Sequence, residues 1–254
     1  MKTLFVRLNI FLLTTLILGI IVISIFMYHI NFNIKFYTYI TKIYNKNLLI
    51  LVNKFFIFSI GIIGSIWSYI NYKRTNNIQF VFFYCFVCSY IIEPISIFKY
   101  YFLSNILSLE FYYFMKFYYL ITAFSLLNLF FLSLYICDFQ IKSITYTIYL
   151  IFTFSMIYNS LVPINAYEYT QYLLSSTGNN RFYVHLFLLL IPINFLVACL
   201  RKKNLSYFLL FVSILLIILG IYLNSIEIPY TFIPILIGIP MYLKEAGKVF
   251  FYWL

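Results

Sequence analysis

The sequence predicts an all-α fold, a polytopic helical membrane protein of about eight membrane-crossing helices, with one N-terminal helix followed by a seven-helix bundle. Three observations predict it. Apolar runs of about 20 residues, the length that spans a bilayer core, are separated only by short polar breaks. The composition is 65% hydrophobic and 9% charged over 254 residues, more apolar surface than a soluble core of that size can hide. The cations fall in the gaps between the runs. At this length a single membrane domain covering 1–254 is expected, with no additional soluble domain.

The first run, 3–28, follows Lys2 and contains Arg7. It is too long for a signal peptide and lacks a small-residue cleavage site, so it reads as a retained helix. A polar stretch with Lys35, Lys42 and Lys46 leads to a second span at 48–70. The Tyr72-Lys73-Arg74 turn then separates it from a third at 78–98, which makes the two antiparallel neighbours. A Tyr-rich link precedes spans at 117–137 and 143–162, joined around Asp138 and Lys142. The longest polar interval, 163–181, carries aromatic and polar residues suited to a recognition loop or a plain connector. Beyond it lie spans at 182–200 and 205–223, divided by Arg201-Lys202-Lys203-Asn204. A last stretch at 228–243 holds Pro229, Pro234 and Pro240, and reads as a kinked span or a shallow dip into the bilayer.

Eight spans place ten cations on one side: Lys2, Arg7, Lys73, Arg74, Lys142, Arg201, Lys202, Lys203, Lys244 and Lys248. The other side receives seven: Lys35, Lys42, Lys46, Lys54, Lys99, Lys116 and Arg181. The denser side is expected to be cytoplasmic, with both termini there. The +11 charge, 17 Lys and Arg against 6 Asp and Glu, forms no stripe on a soluble face, which argues against nucleic acid. Lys73, Arg74, Arg201, Lys202 and Lys203 instead read as contacts to anionic lipid head groups or to a membrane-protein partner. Heavy use of Ile, Phe, Tyr, Asn and Lys fits an AT-biased genome, and a bacterial inner membrane is expected in preference to a mitochondrial one.

Among candidate functional residues, Glu93 stands out. It lies within the third span directly before Pro94, where an ionised carboxylate needs a cation, a cavity or a proton. With Arg181 and His185 at the outer ends of neighbouring spans, it defines an expected outward-facing polar pocket for a ligand. Pairing of Glu93 with Lys99 is the structural alternative. On the second span, Gly61 with Ser65 and Gly64 with Ser68 form two small-xxx-small pairs, which predict close helix approach, within the chain before between chains. Asn128 and Asn194 are expected to hydrogen-bond across helices. Cys85-x-x-Cys88 reads as small apolar packing, because no second pair accompanies it.

His29 and His185 are the whole histidine supply, too few for a metal or haem site without further ligands, so no metal or cofactor is expected. There is no Gly-rich phosphate loop, His-Glu-x-x-His pair, Gly-x-Ser-x-Gly turn or adjacent Asp pair. These absences point away from an enzyme. The reading that remains is a non-enzymatic binding or sensory membrane module. A secondary transporter or exporter component, and an accessory subunit of a larger membrane complex such as an organelle-encoded respiratory one, are the alternatives.

Overall fold

The computed structural model describes residues 44–92, 109–141, 143–162, 165–169, 175–176, 181–225 and 230–251. Among them are seven helices: α1 (Tyr44–Thr75), α2 (Ile78–Ile92), α3 (Leu109–Ile136), α4 (Ile144–Leu161), α5 (Arg181–Lys202), α6 (Leu205–Ser225) and α7 (Phe232–Phe251). A two-stranded antiparallel ribbon, β1 (Asn165–Tyr169) with β2 (Ser175–Ser176), lies between α4 and α5. The span expected at 3–28 lies outside the described residues.

Local chemistry fixes the tight turns. Asn76 adopts φ 52° just past α1, and its N–H bonds to Tyr72 O at 2.8 Å, which satisfies a carbonyl that the helix end would leave orphaned. Asn77 then caps α2, its Oδ1 accepting from Gln79 N at 3.1 Å. The α5–α6 turn repeats the device. Lys203, at φ 47°, donates its N–H to Cys199 O at 3.0 Å, and Asn204 Oδ1 accepts from Ser206 N at 3.0 Å. The first of these turns corrects the expected one: Tyr72-Lys73-Arg74 is the last turn of α1, and the chain reverses at Asn76-Asn77.

Six of these helices close into a ring. α1 packs on α2, α2 on α3, α3 on α5, α5 on α6, α6 on α7, and α7 returns to α1. α4 stands outside the ring and packs chiefly on α3. At the centre, the fully buried Tyr242 of α7 stacks on Phe83 of α2 at 4.1 Å and meets the edge of Phe195 of α5 at 6.4 Å. α2 is buried along nearly its whole length, and Cys85 and Cys88 are free thiols packed inside it. The two chain-adjacent helices α6 and α7 approach closely because both contribute glycine. A Cβ at Gly238 would meet Ser213 O at 2.9 Å, and one at Gly220 would collide with Ile235.

Among the described residues, five helices are long and apolar enough to cross a membrane: Val52–Thr75, Met115–Ile136, Ile144–Leu161, Val184–Lys202 and Leu205–Asn224. Their outer faces present large apolar side chains, among them Tyr146 at 79% and Leu161 at 75% exposure, as expected where lipid is the solvent. α2 is a shorter apolar helix of 15 residues, and 93–98 of the span expected there lie outside the described residues.

The last element differs from its expectation. Instead of a short kinked stretch at 228–243, a 20-residue helix runs from Phe232 to Phe251. Pro234 sits in its first turn, where no intrahelical donor is needed. Pro240 interrupts one rung inside, and packing on α6 and α1 carries the helix through.

The glycine contacts give opposite expectations for two substitutions on one helix. Gly238→Val forces a branched side chain onto the backbone of α6 and should destabilise by about 1–3 kcal/mol. Gly247, where an added Cβ would meet nothing within 4 Å, should accept Ala at no cost or with a gain of up to about 1 kcal/mol. Unfolding in detergent followed by circular dichroism checks both.

Candidate functional site

The bundle has two chemically distinct ends. At one, the last turns of α1, α5 and α7 bring Lys73 with Arg74, Arg201 with Lys202, and Lys248, where cations offset the negative end of each helix dipole. Asp138, in the turn after α3, bridges Arg201 at 3.3 Å and Lys202 at 3.0 Å. These pairs are partly solvated and contribute little stability. Gln79 of α2 reaches Ala246 O at 2.8 Å, which places the start of α2 beside the end of α7. Lys73, Arg74, Lys203 and Lys244 are exposed around this end.

Glu245 belongs to the same end and is not among the residues that the sequence singles out. It is 4% exposed; its Oε1 accepts from Lys248 Nζ at 2.7 Å, while Oε2 has no hydrogen-bond partner among the described residues. Its spacing of three residues before Lys248 on a helix is the signal that could have found it.

The opposite end holds a buried polar joint. Asn53 of α1 donates from Nδ2 to Thr231 Oγ1 at 2.6 Å and accepts the backbone N–H of Phe232 on Oδ1 at 2.9 Å. It therefore caps α7 from another helix, supplying an acceptor to a first-turn donor that would otherwise be orphaned. The neighbouring Lys54, 5% exposed, donates to Asn224 Oδ1 at 3.0 Å near the end of α6. Lys54, counted from the sequence with the cations of the less basic side, is buried at that end of the bundle, and α1 begins at Tyr44, four residues before the expected 48. Lys116 of α3 acts similarly on α4. Its ammonium donates to Asn159 O at 2.6 Å and Val162 O at 2.7 Å, the carbonyls that the end of α4 leaves open.

Of the three residues expected to form a ligand pocket, Glu93 lies outside the described residues. Arg181 is the first residue of α5. His185, one turn further, is exposed and sets its ring 6.1 Å from that of Tyr222 on α6. The small residues of α1 sit at helix contacts within this chain. A Cβ at Gly61 would lie 3.2 Å from Ile91 N, and one at Gly64 3.1 Å from both Val87 and Ile239. Ser65 and Ser68 are buried and bond back to Ile62 O and Gly64 O of their own helix.

Asn194 donates to Ser133 Oγ on α3 at 2.9 Å, and its carbonyl accepts the Cys137 thiol at 3.1 Å. Asn128, expected to reach across helices as well, bonds instead to Phe124 O of its own helix at 2.7 Å, and its buried Oδ1 has no partner among the described residues. The backbone carbonyl four residues earlier is within reach of any helical Asn, and here it wins. Among the described residues no group of three His, Cys, Asp or Glu side chains is placed to hold a metal. Comparison with protein-family models, curated proteins and solved structures finds no match to this chain.

Two asparagines should respond oppositely to truncation. Asn53→Ala removes a helix cap and leaves Thr231 and Phe232 short of a partner, costing about 1–2 kcal/mol. Asn128→Leu removes a desolvated, unbonded oxygen and should be neutral or stabilising by about 1 kcal/mol. Equilibrium unfolding in mixed micelles distinguishes the two signs.

Proposed function

We propose that this chain is a multi-pass, non-enzymatic membrane module that binds or senses a small anionic ligand at the end opposite its cationic turns. About eight spans are inferred, with both termini in the cytoplasm of a bacterial cell and the cationic turns against anionic head groups. The observation that carries the reading is the buried joint of Asn53, Lys54, Asn224 and Thr231. A charged side chain held inside a membrane bundle costs a few kcal/mol and marks a functional position by default. Lys54 also sits where a ligand has leverage, since α1 meets the α6–α7 connection there. Arg181 and His185 open α5 near that end, and Glu93 follows Ile92, the last residue of α2, in the sequence. The cations Lys54 and Arg181, with an N–H from His185, are the groups by which a small carboxylate or phosphate would be recognised, and Glu93 would accept from a donor on the ligand.

The test uses the full chain in lipid nanodiscs, with thermal unfolding recorded against acetate, short dicarboxylates and inorganic phosphate. A ligand present at a hundredfold excess over its Kd should stabilise by about 2.7 kcal/mol, a rise of several degrees. Lys54→Gln should abolish that rise, whereas Lys203→Gln at the other end should leave it intact. Equal responses in both variants, or none in the unsubstituted protein, would refute the reading.

A second reading, a secondary transporter or exporter component, is favoured by Pro192 inside α5 and Pro240 inside α7, because each proline frees a backbone carbonyl of the preceding turn within a membrane bundle. Counterflow of labelled anion into proteoliposomes would decide for it.

A further inference from the structure

α3 packs against both α4 and α5, and an apolar groove of about 190 Å³ lies between these two. Ala123 and Leu127 of α3 form its floor, Phe154 and Tyr158 of α4 one wall, and Val184 and Phe187 of α5 the other. Almost no polar surface lines it. Phe187 meets Phe130 of α3 edge to face at 5.2 Å, about one turn beyond Leu127. At the other extremity stands a cation. Lys116 precedes Ala123 by two helical turns on the same face of α3, and its ammonium lies against the carbonyls of Asn159 and Val162, just past Tyr158.

We propose that this groove holds a segment of one acyl chain of a bilayer phospholipid, with the lipid phosphate beside Lys116. Three features select that occupant. Water needs two to four polar partners, and the lining offers almost none. An apolar cavity of about 150 Å³ stays dry and accepts a benzene-sized guest, so this one, somewhat larger, suits a run of about six carbon atoms. The helices on either side, Ile144–Leu161 and Val184–Lys202, are both of membrane length, so the groove opens onto hydrocarbon and its cationic mouth stands at head-group depth. An amphiphile with an anionic head and an apolar tail matches that arrangement of charge. A chain seated here contacts protein on three sides and gains more dispersion energy than one lying on the convex outer faces. Ala123 is the residue that keeps the floor low. The proposal concerns a different part of the molecule from the joint at Lys54 and stands or falls independently of it.

The experiment places the full chain in nanodiscs containing phosphatidylglycerol with a diazirine in one acyl chain, and maps the photo-adducts by mass spectrometry. Adducts should concentrate on the groove residues, about fivefold or more above Leu161 and Leu200, exposed apolar positions outside it. Ala123→Phe fills the groove from the floor and Val184→Phe from one wall. Each should remove the excess at the groove while labelling at Leu161 and Leu200 persists. Should Ala123→Phe lose its helical circular dichroism, Val184→Phe gives the same reading. Labelling spread evenly over groove and outer faces in the unsubstituted protein, or an excess that survives in a folded filled variant, would overturn the proposal.

Discussion

The ring of helices is closed by α7, which packs on α6 and α1 and reaches α2 and α5 through one central tyrosine. Its middle is pinned by the stack of Tyr242 on Phe83 and by the edge contact with Phe195, which together join α7 to α2 and α5. Its glycine at 238 lets it lie directly against the backbone of α6. Its start is capped by Asn53 of α1, and its end is gripped by Gln79 of α2 and, at 3.4 Å, by Asn71 of α1. In lipid there is no hydrophobic force between helices, so close packing and such interhelical hydrogen bonds carry the association. α7 collects both kinds on one element.

Polar groups follow a consistent division. Those at the ends finish helices, as Asn77 and Asn204 do within one turn and Asn53 and Lys116 do between neighbours. Those in the middle mostly turn back on their own helix, as Ser65, Ser68 and Asn128 do, while Asn194 with Ser133 makes the interhelical bond. Back-bonding of this kind satisfies a side chain without fixing a neighbour. Helix position is therefore set near the two surfaces and by apolar shape in between.

That division explains what is legible in the sequence. The helices at Ile144–Leu161, Arg181–Lys202 and Leu205–Ser225 agree to within two residues with the spans read from hydropathy, because charges, Pro163 and Asn204 bracket them. The terminal helix is harder to place, since Pro234 and Pro240 look like interruptions and Lys244, Glu245 and Lys248 look like an end. The chain absorbs the first proline in an opening turn and buries Glu245 beside Lys248. The joint at Lys54 is hidden for another reason. These runs are apolar on every face, so periodicity does not mark the side that meets protein, and Lys54 looks like any other cation near a span end. The apolar groove is equally invisible, since Ala123 acquires meaning only when two helices flank it.

α4 occupies a singular place, attached to α3 along one edge and finished at its far end by a lysine that is not its own. Changes to its outward face leave every contact of the closed circuit intact. Among the described residues, the outward side of α4 is therefore the surface where a substitution or an inserted segment disturbs the fewest contacts between helices.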